Sequence, residues 1–163
     1  MKLVRLTSLA AACCLAGAAS APAASPPKDL WATVNVCDTA IHPDMMGVRA
    51  SMPGDAQHTK MYMRFAAQYY DRSKQLWLDV SGYPVSRWIL VGSGQYARRQ
   101  GGYTFAFDAP TNGKVYTLRG AVDFKWVKGR RIVRTAHTTT KGGHAGTKGA
   151  DPEGFSAGLC EIT

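Results

Sequence analysis

No run of this chain is long and apolar enough to cross a membrane as a helix. The most apolar stretch, Leu6 to Ala19, falls short of the ~20 residues that ~30 Å of hydrocarbon requires. Acidic residues are scarce, 11 against 20 Lys and Arg, for a formal net charge of +9. Cysteine is limited to four residues, and the four histidines include no close-spaced pair of a recognised metal type. No internal repeat divides the chain, and no segment carries a convincing 3.6-residue apolar period, so an α/β arrangement has no support.

What is present begins with a leader. Lys2 and Arg5 precede the apolar run, and the small residues Ala18 to Ala23 follow it, the pattern of a signal peptide over 1–23. Residues 24–28 read as a short linker, and 29–163 as one domain. A competing reading makes Cys13 a lipid-anchor site, with Ala11-Ala12-Cys13 as its motif, but Leu9 stands one place too far upstream. Cys13 and Cys14 leave with the leader, which predicts that Cys37 and Cys160 bond to each other in an oxidising compartment. Localisation is therefore expected to be secreted or extracytoplasmic.

Without Lys2 and Arg5 the chain keeps 18 cations against 11 acids, or +7, and the excess is local. Residues 25–80 balance at six each, whereas 81–148 hold twelve cations against Asp108 and Asp123. Such a stretch suits an anionic cell-envelope polymer or an acidic protein. It equally suits a solvated face that keeps an exported protein in solution.

Period-two alternation dominates the domain. Met61, Met63, Phe65, Ala67 and Tyr69 face one way while Tyr62, Arg64, Ala66, Gln68 and Tyr70 face the other. Asp71-Arg72-Ser73-Lys74 turns the chain into a return strand, Gln75 to Val80, and Ser81-Gly82-Tyr83-Pro84 breaks it. Short strands follow over 87–91 and 96–99, with a reversal expected at Gly101-Gly102. Tyr116, Leu118, Gly120, Val122, Phe124 and Trp126 point inward on a long central strand. A loop at Lys128-Gly129 would set Asp123 across from Arg134. Asp38 to Gly47 and the glycine-rich Gly142 to Gly154 read as loops. A first strand, Leu30 to Cys37, and a last one, Ser156 to Ile162, each carry a cysteine. The expected fold is all-β, a single antiparallel β-sandwich with one disulfide joining its first and last strands.

The tail from Asp151 to Cys160, with Phe155 before the cysteine, resembles the corner of immunoglobulin-like domains. The resemblance covers about ten residues and departs from that family. The aromatic lies five residues before the cysteine rather than two, it lacks a hydroxyl, and the span between the cysteines is far longer. It implies an immunoglobulin-like sandwich and no activity.

Three segments imitate chemical motifs. Gly154-Phe155-Ser156-Ala157-Gly158 fits a nucleophile elbow, but no histidine and no room for a helix follow it. Gly92-Ser93-Gly94-Gln95-Tyr96-Ala97 fits a dinucleotide fingerprint, but Gly101-Gly102 cuts off the helix that would hold a pyrophosphate. Cys37, His42, Met45 and Met46 are the residue types of a copper loop, but no histidine precedes Cys37. No catalytic, metal or cofactor residue is assigned. Nucleic acid is not the expected partner, because Trp126 faces the core and stacking needs an exposed ring.

The function this predicts is a non-catalytic binding module whose basic strands, through Arg119, Lys125, Lys128, Arg130 and Arg134, meet an anionic surface. The alternative is a secreted enzyme or enzyme inhibitor presenting Gly142–Gly154 or Asp38–Gly47 as a functional loop.

Overall fold

The computed structural model describes residues 28–80 and 85–163. The leader, Cys13, nearly all of the linker and the break at Ser81–Pro84 lie outside the described residues. Among them the chain forms nine strands and no helix. These are β1 (Trp31–Thr39), β2 (His42–Pro53), β3 (Lys60–Asp71), β4 (Leu76–Asp79), β5 (Ile89–Ser93), β6 (Arg98–Ala106), β7 (Tyr116–Lys128), β8 (Arg131–Thr139) and β9 (Cys160–Ile162).

Every ladder is antiparallel. One sheet runs β1-β2-β6. The other runs β4-β3-β7-β8, with β5 also paired to β3 and β9 to β7. β3 and β7 form its centre; β3 is flanked on its outer side by the short strands β4 and β5 in tandem, and β7 by the nine-residue β8 and the three-residue β9. The alternation that predicts β3 and β7 is the cause of this packing. Met61, Met63 and Phe65 of β3 and Val122, Phe124 and Trp126 of β7 are fully or almost fully buried against Val34, Met46, Val48 and Met52 of the other sheet. Removing side chains of this size from water contributes about 1.5–3 kcal/mol each. The Trp126 indole N–H, inside this core, donates to the Pro53 carbonyl at 3.0 Å.

Cys37 and Cys160 are bonded, with their Cα atoms 5.4 Å apart, so the covalent link joins β1 to β9 as the sequence predicts. A disulfide fits an oxidising, extracytoplasmic environment. No helix of the described residues is long and apolar enough to span a membrane.

Four expectations about local structure change. The segment expected as a loop from Asp38 to Gly47 is mostly strand: β1 and β2 form a hairpin whose only turn residues are Ala40 and Ile41. Asp38 (φ 44°) and Asp44 (φ 55°) adopt the left-handed conformation there, which aspartate tolerates, and the Asp44 N–H donates to the Asp38 carboxylate at 2.9 Å. Gly101-Gly102 is not a reversal but lies within β6, opposite Ala50 and Arg49. A Cβ at 101 would stand 2.9 Å from Val91 Cγ1 and 3.0 Å from Met63 Sδ, so glycine serves close packing rather than turning. The β7–β8 loop is Gly129-Arg130, which pairs Lys128 with Arg131. With a bulge after Trp126, Asp123 then meets His137 and not Arg134. The last ladder is also shorter than predicted, Cys160–Ile162, preceded by an isolated bridge at Ala157.

Candidate anion-binding face

The side of the six-stranded sheet turned away from the core is built from consecutive rungs of β3 and β7. Tyr62 stands opposite Lys125, Arg64 opposite Asp123, Ala66 opposite Ala121 and Gln68 opposite Arg119. Three of these four rungs are chemically matched. The Lys125 ammonium lies 5.1 Å from the Tyr62 ring centre. Arg64 donates to Asp123 at 2.7 Å. Arg119 donates to the Gln68 side-chain oxygen at 2.8 Å. Side chains of one face repeat every second residue, so the sequence pattern that buries Met63 and Phe65 necessarily sets these polar and aromatic groups outside.

The flanking strands add two tryptophans. Trp88, just before β5, reaches across β3 so that its ring centre is 4.0 Å from Lys125 Nζ and 4.9 Å from Arg64 Cζ. Trp77 of β4 packs on Tyr70 with ring centres 5.2 Å apart, and the Arg119 guanidinium stands 4.3 Å from the Trp77 centre. Gln68 also donates to Asp79 at 2.9 Å. Two aromatic and cationic clusters thus flank a low saddle made by Ala66 and Ala121.

Partial burial acts to raise the Asp123 carboxyl, but hydrogen bonds from His137 (2.8 Å) and Arg64, together with their charges, outweigh it and hold the group below the usual carboxylate range. Partial burial lowers the Arg119 guanidinium. Arginine starts so high that it keeps its charge at any physiological pH. The face therefore carries Arg64, Arg119 and Lys125 against Asp79 and Asp123.

Of the five cations singled out from sequence, only Arg119 and Lys125 lie on this face. Lys128 and Arg130 sit at the exposed tip of the β7–β8 hairpin, where Lys128 bonds Gln57 at 3.2 Å. Arg134 pairs with Trp126 and lays its guanidinium 4.4 Å from that ring's centre, on the core side of the sheet. Sequence reasoning placed Arg64 outward but gave it no role, and passed over Trp77 and Trp88. A signal was present: Trp77 occupies the polar phase of the alternating run 75–80, where a large aromatic has no packing reason to be.

The residues of the three motif-like segments serve other contacts. Ser156 Oγ accepts from the His144 backbone N–H at 2.8 Å and lies 2.7 Å from Thr33 Oγ1. Gly92 and Ser93 lie in β5. Cys37 is held by Cys160. No three His, Cys, Asp or Glu side chains come together as a metal site among the described residues. No protein-family model, no curated protein and no solved structure matches the chain.

Proposed function

We propose that the protein is an exported, non-catalytic binding module whose six-stranded sheet takes an anionic polymer, such as an acidic cell-envelope polysaccharide, across the face described above. The observation that carries this reading is that Arg64, Arg119 and Lys125 each stand over an indole on that face. A cation stacked on a ring is held in place at little further entropic cost, and the N–H groups that Arg64 does not give to Asp123 and Arg119 does not give to Gln68, with those of Lys125, remain for a carboxylate, sulfate or phosphate. The rings beside it offer apolar faces to a sugar. Residues 64 and 68 are four apart on one strand, so the two clusters lie about 13 Å apart. That separation favours a repeating chain over a single small anion.

Export belongs to the same proposal, resting on the leader at 1–23 and on the disulfide. So does the immunoglobulin-like resemblance of the Asp151–Cys160 tail, as a statement of architecture alone.

The test is retention on immobilised anionic polysaccharide over a salt gradient. Exposed charges are screened beyond about 8 Å at physiological ionic strength, so binding should fall steeply as salt rises. The Arg119→Ala/Lys125→Ala variant should bind at least about tenfold more weakly. Trp88→Ala should weaken binding with no change in net charge, and Lys128→Ala/Arg130→Ala at the hairpin tip should matter less than either. Retention that is indifferent to salt, or lacking even at low salt, refutes the proposal.

A further inference from the structure

The opposite sheet, β1-β2-β6, turns a polar face outward, and the glycine-rich segment after β8 lies on it. Trp31 stacks on His144 with ring centres 4.3 Å apart and 10° between planes. The Asn35 side-chain amide donates to the Gly149 carbonyl at 3.0 Å, and the Asp151 N–H donates to the Asn35 carbonyl at 2.9 Å. The segment is thereby fixed on β1 at both of its ends. This covers Thr33 and Asn35, which alternation would otherwise expose, and leaves them 0 % and 6 % exposed.

Beside Gly149 the covering segment leaves an open cavity of ≈ 390 Å³, bounded by Asn35, Arg49, Gly102, Thr104, Lys148 and Gly149 among others. Its lining includes two cations and no acid. Arg49 stands opposite Gly102, where a Cβ would lie 3.3 Å from its Cδ and 3.6 Å from its Nη1. Glycine therefore lets the arginine lie close across the backbone of β6. The Arg49 Nε is buried and has no hydrogen-bond partner within the protein. A charged donor taken out of water without an acceptor is costly. Two further unpartnered buried hydroxyls, Ser51 Oγ and Thr147 Oγ1, belong to the same face of β2 and to the covering segment.

We propose that this cavity is a second binding site, for a small molecule carrying an oxyanion, a carboxylate or a phosphate, with Arg49 and Lys148 as its charge partners and the Thr104 hydroxyl as a neutral one. An arginine fork matches either oxyanion, and a lysine adds a point charge. The Asn35–Gly149 hydrogen bond sets the backbone next to Lys148 before any ligand arrives, which reduces the ordering cost of binding. The site lies on the other sheet from the polymer-binding face and stands without that reading.

Backbone amide NMR of the intact domain, titrated at constant ionic strength with inorganic phosphate, with glucuronate and with neutral glucose, tests the assignment. Saturable shifts at Gly102, Thr104, Lys148 and Gly149 are expected with one or both anions and not with glucose. The stronger anion then names the oxyanion. Lys148→Ser, on an exposed loop position that bears no core load, should weaken binding about tenfold, and Arg49→Lys, which keeps the charge but loses Nε, by a comparable factor. Lys125→Ala, on the other sheet, should leave the titration unchanged. Non-saturating shifts, glucose acting as well as glucuronate, or full affinity in Lys148→Ser each overturn the proposal. A loss in Lys125→Ala instead assigns the response to the polymer-binding face and overturns it too.

Discussion

Replacing both bonded cysteines, as Cys37→Ala/Cys160→Ala, opens a closure between residues separated by 123 positions. In the chain-entropy description, the unfolded chain then gains freedom in proportion to the logarithm of that length, which destabilises the fold by ~5 kcal/mol at 25 °C. The loss is large against the total stability of about 5–15 kcal/mol usual for one domain. The structure adds a local effect. β9 is three residues long and pairs only with β7 among the strands, through Leu118, Thr117 and Tyr116. Its attachment to β1 runs through the Cys160 sulfur. Urea unfolding of the double variant should show a midpoint reduced by about a third or more of the wild-type value, with a somewhat steeper slope because the freed unfolded chain exposes more surface. Hydrogen exchange should accelerate first at Glu161 and Ile162. A stability loss below about 1 kcal/mol would refute the reasoning, because the long closure would then contribute no constraint.

Three further outcomes are expected. Gly120→Ala would place a methyl group 2.7 Å from Val48 Cγ2 and 2.8 Å from Thr140 Cγ2, and should cost about 1–3 kcal/mol by urea denaturation. Trp126→Phe removes the donor to Pro53 and leaves space in a fully buried site, for a loss of about 2–3 kcal/mol that differential scanning calorimetry would read as a lower Tm. Burial pushes the His144 imidazole below its ordinary value. The folded state therefore resists a proton that the unfolded chain accepts. That contribution is whole above the unfolded value of about 6.5 and is lost as pH falls through the lower folded value. Hydrogen exchange at 142–149 should speed up on acidification across this window, and His144→Phe, which keeps a ring on Trp31, should remove the dependence.

The strands that were legible in sequence are those where large apolar residues alternate without interruption. Met61 to Tyr69 and Tyr116 to Trp126 gave the two central strands and the correct inward face of each. β2 was missed because its inward residues Met46, Val48, Ala50 and Met52 alternate with Gly47, Arg49 and Ser51, a mixture that reads as loop until the opposing strands are known. Asp44 added a turn signal that the structure uses inside a hairpin instead. The β7–β8 register was missed because the turn lies one residue further on and a bulge follows Trp126; together the two exchange the partner of Asp123 from Arg134 to His137. The basic face was only half legible. Arg119 and Lys125 follow from the phase of β7, but their companions Arg64, Trp77 and Trp88 come from strands up to 61 positions away, a proximity that only pairing reveals.

The covering segment also changes what β1 offers to other molecules. As the outermost strand of its sheet it would present a row of free N–H and C=O groups, a template on which another chain's strand can add itself. Here that row is occupied from within: Lys141 donates to Ala32, Val34 exchanges two hydrogen bonds with Ala157, and Asp151 donates to Asn35. The protein is thereby shielded from zipping onto its own copies along this border. Shortening the glycine-rich segment would expose a hydrophobic strand to fibre-like stacking.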